Sequence, residues 1–267
     1  PFAAPALLGL IAHSEARGVW RVQGGMHQLA RSLRTLADAR GATFVTNADV
    51  TRFEVQQGRI CAAYTADGAR YTAPNIVFNG DPRALNTGLL GNAVKPAVPR
   101  KATDPRSLSA YVYAFAAKPA GVDLHHHNVF FAQNPRAEFD PLAKGHMPDD
   151  PTLYICAQDR GSDTQPPDLE RFEIIMNGPP RDGTDSQEKP QCQTRVFETL
   201  AQFNLTFTPT PPPRTLTTPE EFNSLFPASQ GSLYGRSPHG LTASLARPTA
   251  RSKIAGQIGR ASCRERV

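Results

Sequence analysis

Residues 18 to 82 read GVWRVQGGMHQLARSLRTLADARGATFVTNADVTRFEVQQGRICAAYTADGARYTAPNIVFNGDP. Within this stretch Met26, Leu29, Ala30, Leu33, Leu36 and Ala37 recur at spacings of three and four, which predicts an amphipathic helix. Gly24 and Gly25 precede it, and Gly41 closes it as a C-cap glycine. The β-branched runs from Thr43 to Thr46 and from Val50 to Val55 predict strands. Gln57-Gly58 and Asp67-Gly68 are hairpin turns leading into strands at Arg59 to Thr65 and Arg70 to Thr72. Ile76-Val77-Phe78 is a short apolar run of the kind buried on both faces, and Pro82 to Leu90 follows as a helix.

Working outward, residues 5 to 13 predict the end of a helix, and Val19, Trp20 and Val22 a short strand. Downstream, strands are expected at Ser107 to Ala117, Val129 to Ala132, Leu153 to Ala157 and Phe172 to Met176. A long polar connection runs from Gln158 to Asp168. A helix from Pro190 to Phe203 should turn Val196, Leu200 and Phe203 inward. Pro209 to Pro213 is a stiff connector. Thr218 with Glu221 forms a capping box for a helix from Pro219 to Leu225. Alternating α and β elements followed by a mostly antiparallel region indicate an α/β chain carrying an α+β insert.

With 267 residues, 25 prolines and 20 glycines, the chain can bury a core but is rich in loops. No run of about 18 apolar residues exists, so no transmembrane helix is expected. The charge of +5 is dispersed, with no basic block interleaved with aromatics, which argues against nucleic acid as a partner. Cys61, Cys156, Cys192 and Cys263 are scattered without a CxxC pair, which points to a reducing compartment and away from structural zinc. His125, His126 and His127 on one strand would point to alternate faces, so no metal site is expected there. A place at the surface or at a tunnel mouth suits them better.

The segments GVWRVQGGMHQLARSL, GATFVTNADVTRFEV and DGARYTAPNIVFNGDP together resemble the middle of two-dinucleotide-binding-domain flavoproteins of the amine-oxidase type. HHHNVFFA at 125 to 132, DPTLYICAQDRG at 150 to 161 and SLYGRSPHGLTASLARP at 232 to 248 resemble the phytoene-dehydrogenase-type carotenoid desaturases. GGMHQLA, VFNGD, HHNVFF and CAQDRG lean toward the bacterial 1-hydroxycarotenoid 3,4-desaturases. The resemblance implies FAD as cofactor, a carotenoid as substrate, and a quinone or oxygen as electron acceptor. It also implies work at a membrane surface, peripheral on the bacterial inner membrane and facing the cytoplasm. Alternatives are a protoporphyrinogen-oxidase-like flavoenzyme and a non-catalytic prenyl-lipid escort of the same fold.

For individual residues the resemblance implies that Val50 reads the adenine of FAD through its backbone, and that Asn79, Gly80 and Asp81 pass near the cofactor. Gly24 and Gly25 either allow close approach to flavin or form an ordinary turn, and Asp81 either meets the cofactor or caps a helix. No catalytic base is assigned. Asp159-Arg160 and His239 are typical of the family without a derivable role.

The expected organisation is the end of a helical substrate region at 1–23, part of the FAD domain with its meander at 24–100, and a substrate domain at 101–225. Residues 226–257 then return toward the FAD domain. The family's GxGxxG should lie upstream of residue 1, and its C-terminal glycine-rich segment should begin after Ile254-Ala255-Gly256, so this chain alone should hold FAD poorly. Residues 258–267, IGRASCRERV, resemble the translation of a common sequencing-library adapter. Without Arg260, Arg264, Arg266 and Glu265 the charge falls from +5 to +3. Source DNA read across Gln257 is expected to continue into codons for a glycine-rich segment; the same codons ending in a genuine stop would remove the adapter reading.

Overall fold

The computed structural model describes residues 9–161, 165–183, 188–239 and 252–258. The chain divides into two units, one of residues 100–238 and one of residues 2–99 with 239–267.

In the discontinuous unit, α1 spans Gly9–Glu15 and α2 spans Met26–Ala39. Residues 5 to 8 of the first expected helix lie outside the described residues. Gly41 donates its N–H to the Asp38 carbonyl and Ala42 to that of Ala37, so the glycine stop acts at the end of α2. The strand expected at Val19 to Val22 is absent, and Trp20 is 88 % exposed. The strand expected at Thr43 to Thr46 is also absent. In both places β-propensity meets no pairing strand among the described residues, and a lone strand has nothing to stabilise it.

The meander forms as expected from β1 (Val50–Gln56), β2 (Arg59–Thr65) and β3 (Arg70–Thr72), antiparallel throughout. Gln57 and Gly58 both take positive φ, the geometry that a two-residue hairpin demands. Phe53, Ile60 and Ala62 are buried along with Leu85, Leu90 and Val94 from the segment that follows. Glu54 accepts from Tyr64 Oη at 2.8 Å and Arg70 Nε at 3.0 Å, which holds its carboxyl down at about 2.

β4 is Ile76–Val77, and it pairs in parallel with β11, Gln257–Ile258. It was expected to be buried on both faces, yet Val77 is 61 % exposed, since β11 is its only ladder partner among the described residues. The helix expected from Pro82 to Leu90 shortens to α3, Arg83–Asn86, with Gly88 and Gly91 taking positive φ beyond it. Residues 254 to 256 stitch the two sheets together. Ile60 N–H donates to Ala255 O at 2.9 Å and Ile76 N–H to Gly256 O at 2.8 Å.

The second unit is built on a sheet ordered β10-β5-β8-β7-β6, with β9 pairing the far end of β5. Its strands are β5 Ser109–Gly121, β6 His127–Phe130, β7 Leu153–Ala157, β8 Glu170–Gly178, β9 Leu205–Thr208 and β10 Leu216–Thr217. On one face Tyr111, Tyr113, Ala117, Leu153, Ile155, Phe172, Ile174 and Met176 are buried with Cys192, Val196 and Leu200 of α5 (Glu188–Gln202). Phe115, Phe172, Phe197 and Phe207 complete this core as an edge-to-face aromatic group. Phe203, expected inward, is instead 41 % exposed against Phe130, because it falls one residue beyond the end of α5.

α4, Pro135–Ala143, was not foreseen; Asn134 caps it, and its Glu138 is buried, accepting from Thr152 and Asn177. α6, Pro219–Leu225, carries both bonds of the expected capping box. Replacing the fully buried Leu200 by alanine is expected to cost about 2–5 kcal/mol, whereas Thr218→Ala should cost about 1 kcal/mol through the lost cap. Denaturant unfolding followed by circular dichroism measures both, and equal costs would contradict this placement of Leu200.

Candidate functional site

The residues expected near a cofactor all lie in the discontinuous unit, at the ends of α2, β1 and β4. Gly24 and Gly25 have φ of +77° and +87°, and Gly25 is the N-cap of α2. No protein atom stands within 4 Å of where a Cβ on Gly25 would be, so its positive φ, and not crowding by the protein, demands glycine. The first turn of α2 holds no acidic residue and no side-chain cap. Its N–H groups therefore present the positive end of the helix beside an open glycine, a setting that fits the polar edge of a bound anion or flavin.

Met26, Leu29, Leu33 and Leu36 are exposed along α2, and none of its residues is buried. Val50 opens β1 opposite Thr65, with its side chain exposed, so any reading of a ligand there goes through backbone. Asn79, Gly80 and Asp81 follow the C-terminal end of β4, where parallel sheets receive ligands. Gly80 is required sterically: a Cβ there would meet the Phe78 ring at 2.5 Å. Phe78 in turn packs edge-on against Phe53 at 5.9 Å. Asp81 is buried, and its Oδ1 accepts from the Arg83 N–H at 2.8 Å, which starts α3. This bond closes a turn at the entry to α3, whose N-cap is Pro82.

In the other unit Asp159 and Arg160 are structural. The Asp159 carboxylate accepts from the Arg171 backbone and guanidinium, which holds it below the usual carboxylate range. Arg160 grips Glu170 with two bonds, at 2.6 and 2.9 Å, and donates to Leu124 O. His239 is exposed.

The fanning expected for the three histidines fails for two of them. β6 begins only at His127, and His126 sits on the bend before it, so alternation does not separate the pair. Their rings lie 4.4 Å apart, and their nitrogens converge with Cys156 Sγ. The signal missed in the sequence was that β6 and β7 pair, which sets His127 directly opposite Cys156.

The sheet of this unit also has a second face. Cross-strand pairing lines up Val112, Ile175, Tyr154 and Val129 in one row, and Ala114, Glu173, Cys156 and His127 in the next. Ala114, Val129 and His127 are exposed there, and Val112, Ile175 and Tyr154 are half-buried. Burial raises Tyr154 to about 12 and pushes Glu173 upward from its ordinary value.

The description "flavin containing amine oxidoreductase" matches residues 8–177. The chain belongs to that family. Among curated proteins it is 53 % identical to a hydroxyneurosporene desaturase of Cereibacter sphaeroides, across 96 % of this chain and 52 % of the relative. It is 46 % identical to the protein of that name from Rhodobacter capsulatus, with the same coverage. Against a lycopene-forming phytoene desaturase of a Paracoccus species the identity is 27 %, over 89 % of this chain and 49 % of that protein. The chain thus spans about half the length of these curated relatives.

Asp81→Ala is expected to cost about 1 kcal/mol by removing the acceptor for Arg83 N–H, while Asp81→Asn, which keeps an oxygen there, should cost less than half as much. Denaturant unfolding of the two variants measures the difference, and a neutral Asp81→Ala would rule out a stabilising role for that bond.

Proposed function

We propose that the complete protein is an FAD-dependent carotenoid desaturase that introduces a 3,4 double bond into an acyclic 1-hydroxycarotenoid. The observation that carries this is the step in identity from 27 % with a phytoene desaturase to 53 % with a hydroxyneurosporene desaturase. When bound, the flavin supplies the hydride acceptor for C–H oxidation. Asn79, Gly80, Gly24, Gly25 and the backbone of Val50 are the residues of this chain proposed to hold it, with Asp81 shaping the turn they share.

The remaining work is alignment of a long apolar chain. The row of Val112, Ile175, Tyr154 and Val129 suits a long polyene, since it offers side-chain contact across four neighbouring strands. Small neighbours such as Ala114 keep that surface low. Such a substrate is not collected from water, because each CH2 moved out of lipid costs about 0.8 kcal/mol. No helix among the described residues is long and apolar enough to cross a membrane. A peripheral position on the bacterial inner membrane, with quinone or oxygen reoxidising the flavin, completes the reading.

The test supplies the full-length, flavin-loaded enzyme with liposomes containing either phytoene or a 1-hydroxylated neurosporene. Product analysis is expected to show a new 3,4 double bond in the hydroxylated substrate and at least tenfold slower conversion of phytoene. Preference for phytoene would overturn the substrate assignment, and inertness toward both would overturn the desaturase reading.

A further inference from the structure

We infer that His126, His127 and Cys156 form a binding site for a borderline-soft divalent cation of the zinc type. Their ligand atoms, one from each residue, all lie within 4.8 Å of one another. Cys156 Sγ stands 3.7 Å from His126 Nε2. Around a tetrahedral zinc with bonds of roughly 2.0–2.1 Å to nitrogen and 2.3 Å to sulfur, ligand atoms are separated by about 3.3–3.7 Å. That pair is therefore already at coordination spacing, and the third donor, from His127, lies within 4.8 Å of both.

The surroundings orient the donors. His126 Nδ1 lies 3.0 Å from the carbonyl oxygen of Arg160. A carbonyl only accepts, so Nδ1 donates to it, and Nε2 is the ring nitrogen directed toward Cys156. Arg160 is itself anchored by Glu170, Asp123 and Leu124 O, which fixes the carbonyl that orients His126. His127 Nδ1 is 2.7 Å from the Tyr154 hydroxyl, and the two rings stack with centroids 5.9 Å apart. The Gln158 side-chain amide donates to Cys156 Sγ at 3.3 Å.

On binding, the Cys156 thiol loses its proton to solvent and the S–metal bond forms, with no change in oxidation state. Two imidazoles and a thiolate select zinc over magnesium, which prefers oxygen donors. Three protein donors leave the fourth position of a tetrahedral ion to water or an incoming ligand. The site differs from the proposed flavin-holding residues, which lie in the other unit of the chain.

The test is calorimetric titration of the tag-free 267-residue chain with Zn²⁺, backed by Co²⁺ absorption spectroscopy. Binding near one equivalent at micromolar or tighter affinity is expected, with Co²⁺ giving tetrahedral visible bands and a thiolate charge-transfer band. Mg²⁺ should not compete. Cys156→Ser and His127→Ala should each weaken Zn²⁺ at least tenfold, and Cys156→Ser should abolish the charge-transfer band. His125→Ala should leave both unchanged, although it alters the same histidine tract. Circular dichroism establishes that each variant is folded; His127 is exposed, so its removal disturbs no core. Absence of binding at micromolar Zn²⁺, or affinity unaltered in folded Cys156→Ser and His127→Ala, would overturn the site.

Discussion

The ladder between β5 and β8 is the constraint on which the larger unit depends. It runs unbroken from Ser109 opposite Gly178 to Ala117 opposite Glu170. Because side chains alternate along a strand, this register decides which residues meet α5 and which form the second face. A slip of β8 by one residue would turn Phe172, Ile174 and Met176 outward and bring Glu173 and Arg171 into the core. Burying a carboxylate and a guanidinium away from their present partners would cost far more than the ladder contributes. The same register, passed on through β7 to β6, sets the apolar row and brings His127 beside Cys156.

Much of this was legible because short-range chemistry and long-range packing agree. Gln57-Gly58 and Asp67-Gly68 impose turns that force the meander, and the Thr218–Glu221 box starts α6 wherever that helix packs. The strand at Phe172 alternates cleanly because one face is more deeply packed than the other. By contrast, the runs at Val19 and Thr43 have strand composition without a neighbouring strand, and composition cannot supply the partner. α4 was hidden because Pro135 and Pro141 read as loop punctuation, although Pro135 occupies the first turn, where proline is tolerated. Phe203 fits the helical period but falls past the last turn, where the period no longer decides direction.

The site was legible in part for the same reason. Gly80 follows a strand-end pattern that can be read locally, while the Phe78 ring that makes it obligatory is visible only in three dimensions. The family membership rests on the summed match of many short segments, none of which decides it alone. The histidine tract was read as lying on one strand, whereas β6 starts at His127 and His126 sits on the bend before it. One bend before β6 is enough to swing His126 back toward its neighbour.

The threading of Ala255 and Gly256 between β2 and β4 has a consequence for biogenesis. Those hydrogen bonds join residues about two hundred positions apart, with the whole of residues 100–238 synthesised in between. Closure over such a separation is slow, and a vectorially growing chain cannot attempt it until the last of these residues has left the ribosome. The 100–238 unit holds every strand of its own sheet within one continuous segment and has no such wait. The meander and β4 are therefore translated before residues 100–238 but closed only after them, and their unsatisfied edges are the surface a chaperone would need to shield in the interval.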